Sequence, residues 1–126
     1  MRNRTVGVAV VLLITLAVAG VFAEEEKKVT LAGEVVDLHC YLIRHGGEGR
    51  GAGHAGCANA CIGRGVSAGF IADEGTLYVL FDEKMGSPKE RIAGFAGKPV
   101  TVTGVVVERD GVKGLKLLTI EEVTGS

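Results

Sequence analysis

Residues 99 to 123 constrain this chain most. "PVTVTGVVVE" and "GLKLLTIEEV" are β-branched or alternating runs on either side of "RDG", and such a pair reads as a β-hairpin closed by a tight Asp-Gly turn. A chain whose longest regular stretches are a hairpin builds its core around a sheet, so the other segments are read as partners for it. "VSAGFIAD" and "TLYVLFD" are two further short strands joined around Glu74-Gly75. "VTLAGEVVDLHCYL", Val29 to Leu42, alternates at Val29, Leu31, Gly33 and Val35 and reads as a first strand. Gly33 within it suggests a bulge or a sharp bend, and a bulge would put Val36, Leu38 and Cys40 on one face.

Between the third and fourth strands, "SPKERIAGFAG" carries helix signals at both ends. Ser87 can cap, Pro88 suits the first helical position, Glu90 completes a capping box, and Gly97 and Pro99 close the far end. The expected order is β-β-β-α-β-β, a mainly β, five-stranded OB-fold-like barrel with a Gly-rich, Cys/His-bearing helical insertion after strand 1, at about residues 43 to 65.

The chain opens "MRNRTVGVAVVLLITLAVAGVFAEEEKK". Arg2 and Arg4, an apolar run to Phe22, and small residues up to Ala23 form the layout of a secretory signal peptide covering residues 1 to 23. The expected location is therefore periplasmic or secreted, with no stable membrane association after cleavage; an uncleaved N-terminal anchor is the alternative. Residues 24 to 28 read as a charged linker, and 29 to 126 as one domain. Without Arg2 and Arg4, the 14 basic residues become 12 against 15 acidic ones. The basic residues are dispersed, with no aromatic residues interleaved and no tryptophan, so nucleic acid is not an expected partner.

Three cysteines are an odd number for an exported chain, so at least one thiol is left unpaired, bridged to another molecule or bound to something. The segment "HAGCANAC", residues 54 to 61, holds two of them and one of three histidines. Its alanines favour a helix, and Gly63 is placed to end one. On a helix advancing about 100° per residue, Cys57 and Cys61 lie near −60° and −20° from His54, so all three side chains point one way. Cys40, at the end of the first strand, can supply a fourth donor. The expected site is Cys40, His54, Cys57 and Cys61 around one transition-metal ion. Three thiolates and an imidazole suit copper(I) or zinc(II), while magnesium and calcium need oxygen ligands. Copper is slightly favoured because the Cys-x-x-x-Cys spacing resembles that of copper-delivery and binuclear copper proteins. Such a site would serve metal handling, electron transfer or fold stabilisation, with a metal-donor or redox protein as partner.

Nearby groups are candidates for support. His39, on a strand, would face away from Cys40; His45 lies in the glycine-rich loop; Asp37 could orient His39 by a hydrogen bond or be a solvated strand-end charge. The glycines from Gly46 to Gly56 would let the loop fold tightly over the ligands. Their Gly-x-Gly-x-x-Gly match at Gly51, Gly53 and Gly56 lacks the βαβ unit of a dinucleotide site.

Two other readings stay open. Cys57 and Cys61 could form a disulfide across one helical turn, or Cys40 could pair with either, which would make a thiol-disulfide redox module. Alternatively the barrel face binds a ligand and the cysteines only fasten the insertion. No serine-histidine elbow or paired carboxylates stand out, so cysteine redox chemistry is the one enzymatic option, and a catalytic role is not the primary expectation.

"GEVVDLHCYL", "HAGCANACIGRG" and "LYVLF" together resemble a group of small exported bacterial OB-fold-like domains that carry Gly-x-Val-x-Asp-x-x-Cys-Tyr followed by His-x-x-Cys-Ala-x-x-Cys. The resemblance implies that Cys40, His54, Cys57 and Cys61 belong to a recurring pattern. It implies no particular activity and no particular metal.

Overall fold

The computed structural model describes residues 26–45, 47–84 and 86–125; residues 1–23, read above as a signal peptide, lie outside them. Five strands, β1 (Lys27–Asp37), β2 (Ala68–Ala72), β3 (Leu77–Asp82), β4 (Pro99–Arg109) and β5 (Val112–Glu122), close into a barrel in the order β1-β2-β3-β5-β4. All neighbours are antiparallel except β3 and β5, which run parallel. Among the described residues, no helix is long and apolar enough to cross a membrane.

The final hairpin forms as expected. Arg109 pairs with Val112, and the two residues between them, Asp110 (φ 52°) and Gly111 (φ 82°), both take positive φ. That backbone twist matches the twist of the flanking strands, and Asp-Gly tolerates it better than most pairs. The bulge, however, falls on this hairpin, between Thr103 and Gly104, and not at Gly33.

Gly33 serves a different purpose. It pairs with Ala72 of β2 on one side and Val100 of β4 on the other, so it stands where β1 passes from one neighbour to the next. A Cβ there would lie 2.1 Å from the carbonyl oxygen of Ile71 and 2.7 Å from the ring of Phe70. Close approach of backbone and ring, not a change of pleat, requires glycine here.

Phe70, Val35, Leu80, Val100, Val102, Leu115 and Leu117 fill the barrel. The start of β1 corrects the linker boundary: Lys27 and Lys28 pair with Val106 and Val105, and Glu26 accepts a hydrogen bond from Lys116 Nζ at 2.8 Å.

The helix expected over residues 87 to 97 is absent. Arg91 and Ile92 both donate to the carbonyl of Pro88, at 2.8 and 3.1 Å, so the start signals yield one turn. Gly94 and Gly97 then take φ of 81° and 78°, outside the helical region. Tertiary partners have claimed the backbone groups that a helix would satisfy locally. Asn59 Oδ1 accepts from the N–H groups of Gly94 and Ala96, and Gly97 N–H donates to the carbonyl of Val35. Fully buried Pro88, Ile92 and Ala96 make this segment a plug for the core. Arg91 fastens it by donating to the carbonyls of Leu117 and Leu118.

Candidate metal centre

The chain leaves the sheet after Asp37 and rejoins it at Ala68, two residues that pair across β1 and β2. Everything between them is mounted at one end of the barrel. Leu38 to Leu42, expected as the end of the strand, form instead a short helix, α1 (Leu38–Ile43). The cause is Asp37, whose extended backbone and carboxylate make an N-cap: Oδ1 accepts from the N–H of Cys40 at 2.7 Å. Cys40 therefore reaches the site from the first turn of a helix. Arg44 ends that helix in the left-handed region, and His45 N–H donates to the carbonyl of Cys40.

The glycine-rich loop then doubles back over α1. At Gly49, φ is 65°, and a Cβ would stand 2.4 Å from the carbonyl oxygen of Cys40 and 2.7 Å from Cα of Tyr41. Both the backbone conformation and the contact demand glycine. The loop is tied down by Glu34 of β1, which accepts from the Arg50 guanidinium at 3.0 and 3.2 Å and from the N–H of Gly51.

A short 3-10 turn (Ala52–His54) leads into α2 (Ala55–Gly63). Ala58 and Ile62, one helical turn apart, are its buried stripe; Cys57 and Cys61 precede each of them and form the adjacent stripe, exposed and half-buried respectively. Asn59 locks this orientation. Besides accepting from Gly94 and Ala96, it donates to the carbonyls of Ala55 and Ala96, at 2.9 and 3.3 Å.

The donors gather in two overlapping sets. One ligand atom each from Cys40, His54 and Cys57 lie within 4.8 Å of one another, and so do atoms from Asp37, Cys40 and Cys61. Two sulfurs bound at 2.3 Å to one trigonal ion stand about 4 Å apart, so contraction by tenths of an ångström would close either set. All four expected ligands are present, but no single set unites them; Cys40 belongs to both. His39 and His45 are exposed and belong to neither set.

Asp37 is fully buried and orients His54 rather than His39: its Oδ2 lies 3.3 Å from Nε2 of His54, itself only 8% exposed. A histidine that donates Nε2–H to a carboxylate keeps its Nδ1 lone pair for an ion, the usual support for a metal-bound imidazole. Of the two roles that the sequence left open for Asp37, orienting His39 or standing as a solvated strand-end charge, the structure shows neither. The pairs Asp37–His54 and Glu34–Arg50 bridge 17 and 16 residues, and no local spacing signals either.

Burial, reinforced by the hydrogen bond and charge of Asp37 and by Cys57 alongside, pushes the Cys40 thiol from its ordinary 9.0 up to about 12. At neutral pH without an ion Cys40 stays protonated, and an incoming ion must displace that proton. The raised value also has a stability consequence. The folded state holds the proton more tightly than the unfolded chain, so this contribution is fully present below pH 9 and is lost as pH rises through about 12. Lys113, raised by Glu108 at 2.7 Å, acts in the same direction. In urea titrations of metal-free protein, stability is expected to fall above about pH 9, and Cys40→Ser to flatten part of that fall; an unchanged alkaline slope in the variant would contradict the buried thiol.

Comparison of the chain with protein-family models, with characterised proteins and with solved structures finds no match. What the geometry defines by itself is a small closed β-barrel with a Cys/His cluster, close enough to hold a metal ion, on the segment between its first two strands.

Proposed function

We propose that this is an exported, OB-fold-type protein that binds a transition-metal ion through Cys40, His54 and Cys57, for metal handling, electron transfer or stabilisation of the fold. The strand order β1-β2-β3-β5-β4 supports the OB-fold reading, although the helix expected before β4 is replaced by turns. The signal-like residues 1 to 23 support a periplasmic or secreted location. Membership of the cysteine-histidine group of exported bacterial domains is part of the same proposal.

The observation that carries the reading is the first donor set: two buried donors and one exposed donor, all within 4.8 Å. A structural zinc site encloses its ion in four protein ligands, whereas three donors with one at the surface leave a face open. Copper(I), content with two or three soft donors and exchangeable at an open face, fits this arrangement best; zinc with a water as fourth ligand is the alternative. An open face also suits delivery of the ion by a metal-donor protein. Protein exported in cells supplied with both metals and analysed for its elements should retain at least one copper per chain, and Cys57→Ser should retain less than the wild type. Metal-free protein with three titratable thiols would overturn the proposal.

A second reading has its own observation. The sulfur of Cys40 lies within 4.8 Å of that of Cys57 and also within 4.8 Å of that of Cys61. A thiol-disulfide module would therefore use Cys40 as one partner, instead of the Cys57–Cys61 pair that their spacing suggests. Formation of that bond sends two electrons and two protons to a partner disulfide, which is reduced to two thiols. Peptide mapping after equilibration in glutathione buffers distinguishes this reading by the pair it finds linked.

A further inference from the structure

Cys40 Sγ stands in both donor sets, with His54 and Cys57 in one and with Asp37 and Cys61 in the other. Each set has its own approach from solvent. Cys57 is exposed, and half-buried Cys61 receives a hydrogen bond at 3.8 Å from the exposed guanidinium of Arg64. A single tetrahedral ion held by all three cysteines and His54 does not match this arrangement, because those four donors do not converge as one group.

We infer that the centre takes two ions, bridged by the thiolate of Cys40: an outer ion held with His54 and Cys57, and an inner ion held with Cys61 beside the Asp37 carboxylate. The inference rests on the metal-binding reading above and deepens it. A thiolate sulfur has more than one lone pair and can serve both ions. Loading the outer position releases the protons of Cys40 and Cys57; loading the inner one releases only that of Cys61, with no change in oxidation state.

The second ion adds no net charge. One copper(I) in the outer position shares its single positive charge among two thiolates and the buried Asp37 carboxylate. A second copper(I) that takes the place of the Cys61 proton leaves that balance unchanged, so the bridged pair forms without further buried charge. Since Cys40 is shared, that second cation needs just one further thiolate.

The test is an anaerobic titration of the whole protein with copper(I), read by native mass spectrometry. Wild type should saturate at two ions, Cys61→Ser and Cys57→Ser at one each, and Cys40→Ser should retain neither tightly. Asp37→Asn keeps a good N-cap and so a folded helix; it should weaken both binding steps, because the carboxylate orients His54 in one set and belongs to the other. Circular dichroism of each variant shows whether it remains folded. Saturation of the wild type at one ion, with Cys61→Ser indistinguishable from it, overturns the bridged pair and leaves the single-ion reading intact. Binding of no ion overturns both.

Discussion

Cys40→Ser is expected to lower the affinity for copper(I) or zinc(II) on the order of a hundredfold or more, the largest effect of any single side chain in the cluster. The reason is position as much as chemistry. Cys40 alone is common to both donor sets, so its loss reduces each to an unbridged pair. Serine is of similar size and leaves the backbone N–H of position 40 donating to Asp37, so the barrel should stay folded and the loss should be one of coordination. His39→Ala and His45→Ala are the matched controls. Both side chains are exposed and outside either set, and their affinities in competition with a chromophoric chelator should equal that of the wild type. A loss in His39→Ala comparable with that in Cys40→Ser would show that the site is assembled differently.

The second large effect belongs to Gly33→Ala. One added methyl would fall 2.1 Å from a backbone oxygen and 2.7 Å from a fully buried aromatic ring. The ring has little room to turn, because interiors are close-packed. The carbonyl cannot withdraw without breaking the pairing of β1 with β2. Overpacking of this kind costs about 3 kcal/mol, which lowers the melting temperature by roughly 12 to 24 °C in a domain of this size. Gly53→Ala is the control, since nothing lies within 4 Å of its added methyl. Equal melting temperatures for the two variants would mean that β1 does not approach Phe70 as described.

These contrasts show which parts of the molecule are legible along the chain. The β4–β5 hairpin is legible because its turn residues and its strand patterning are adjacent in sequence and agree. Helix α2 is legible for the same reason, with alanines between the cysteines and Gly63 at its end. Helix α1 is not, because Leu38 to Ile43 would serve equally as strand; the decision rests with Asp37, whose carboxylate caps the turn from the sheet's last rung. Residues 87 to 97 fail in the opposite sense. Their local signals favour a helix, but Asn59 and Val35, far away in sequence, bind the same backbone groups and win.

The candidate site divides likewise. His54, Cys57 and Cys61 are connected by helical spacing, and Cys40 by its chemistry. The splitting into two sets around Cys40 depends on how α1 and α2 lean against each other, and periodicity carries no information about that. The clamp of Glu34 on Arg50 and Gly51 is equally a product of the assembled barrel.

The parallel seam between β3 and β5 has a consequence for how the molecule forms. Its rungs join residues 79–82 to 114–117, and β1 already waits for partners some 70 positions away in β4. Few early contacts can reward such distant encounters, so ordering is expected to be slow and late, as in other architectures dominated by non-local pairing. Until the last strand docks, β3 and β4 each keep a bare edge and three thiols stay within reach of oxidants. An ion captured in that interval would act as an assembly aid, drawing the segment between β1 and β2 into shape before the barrel shuts.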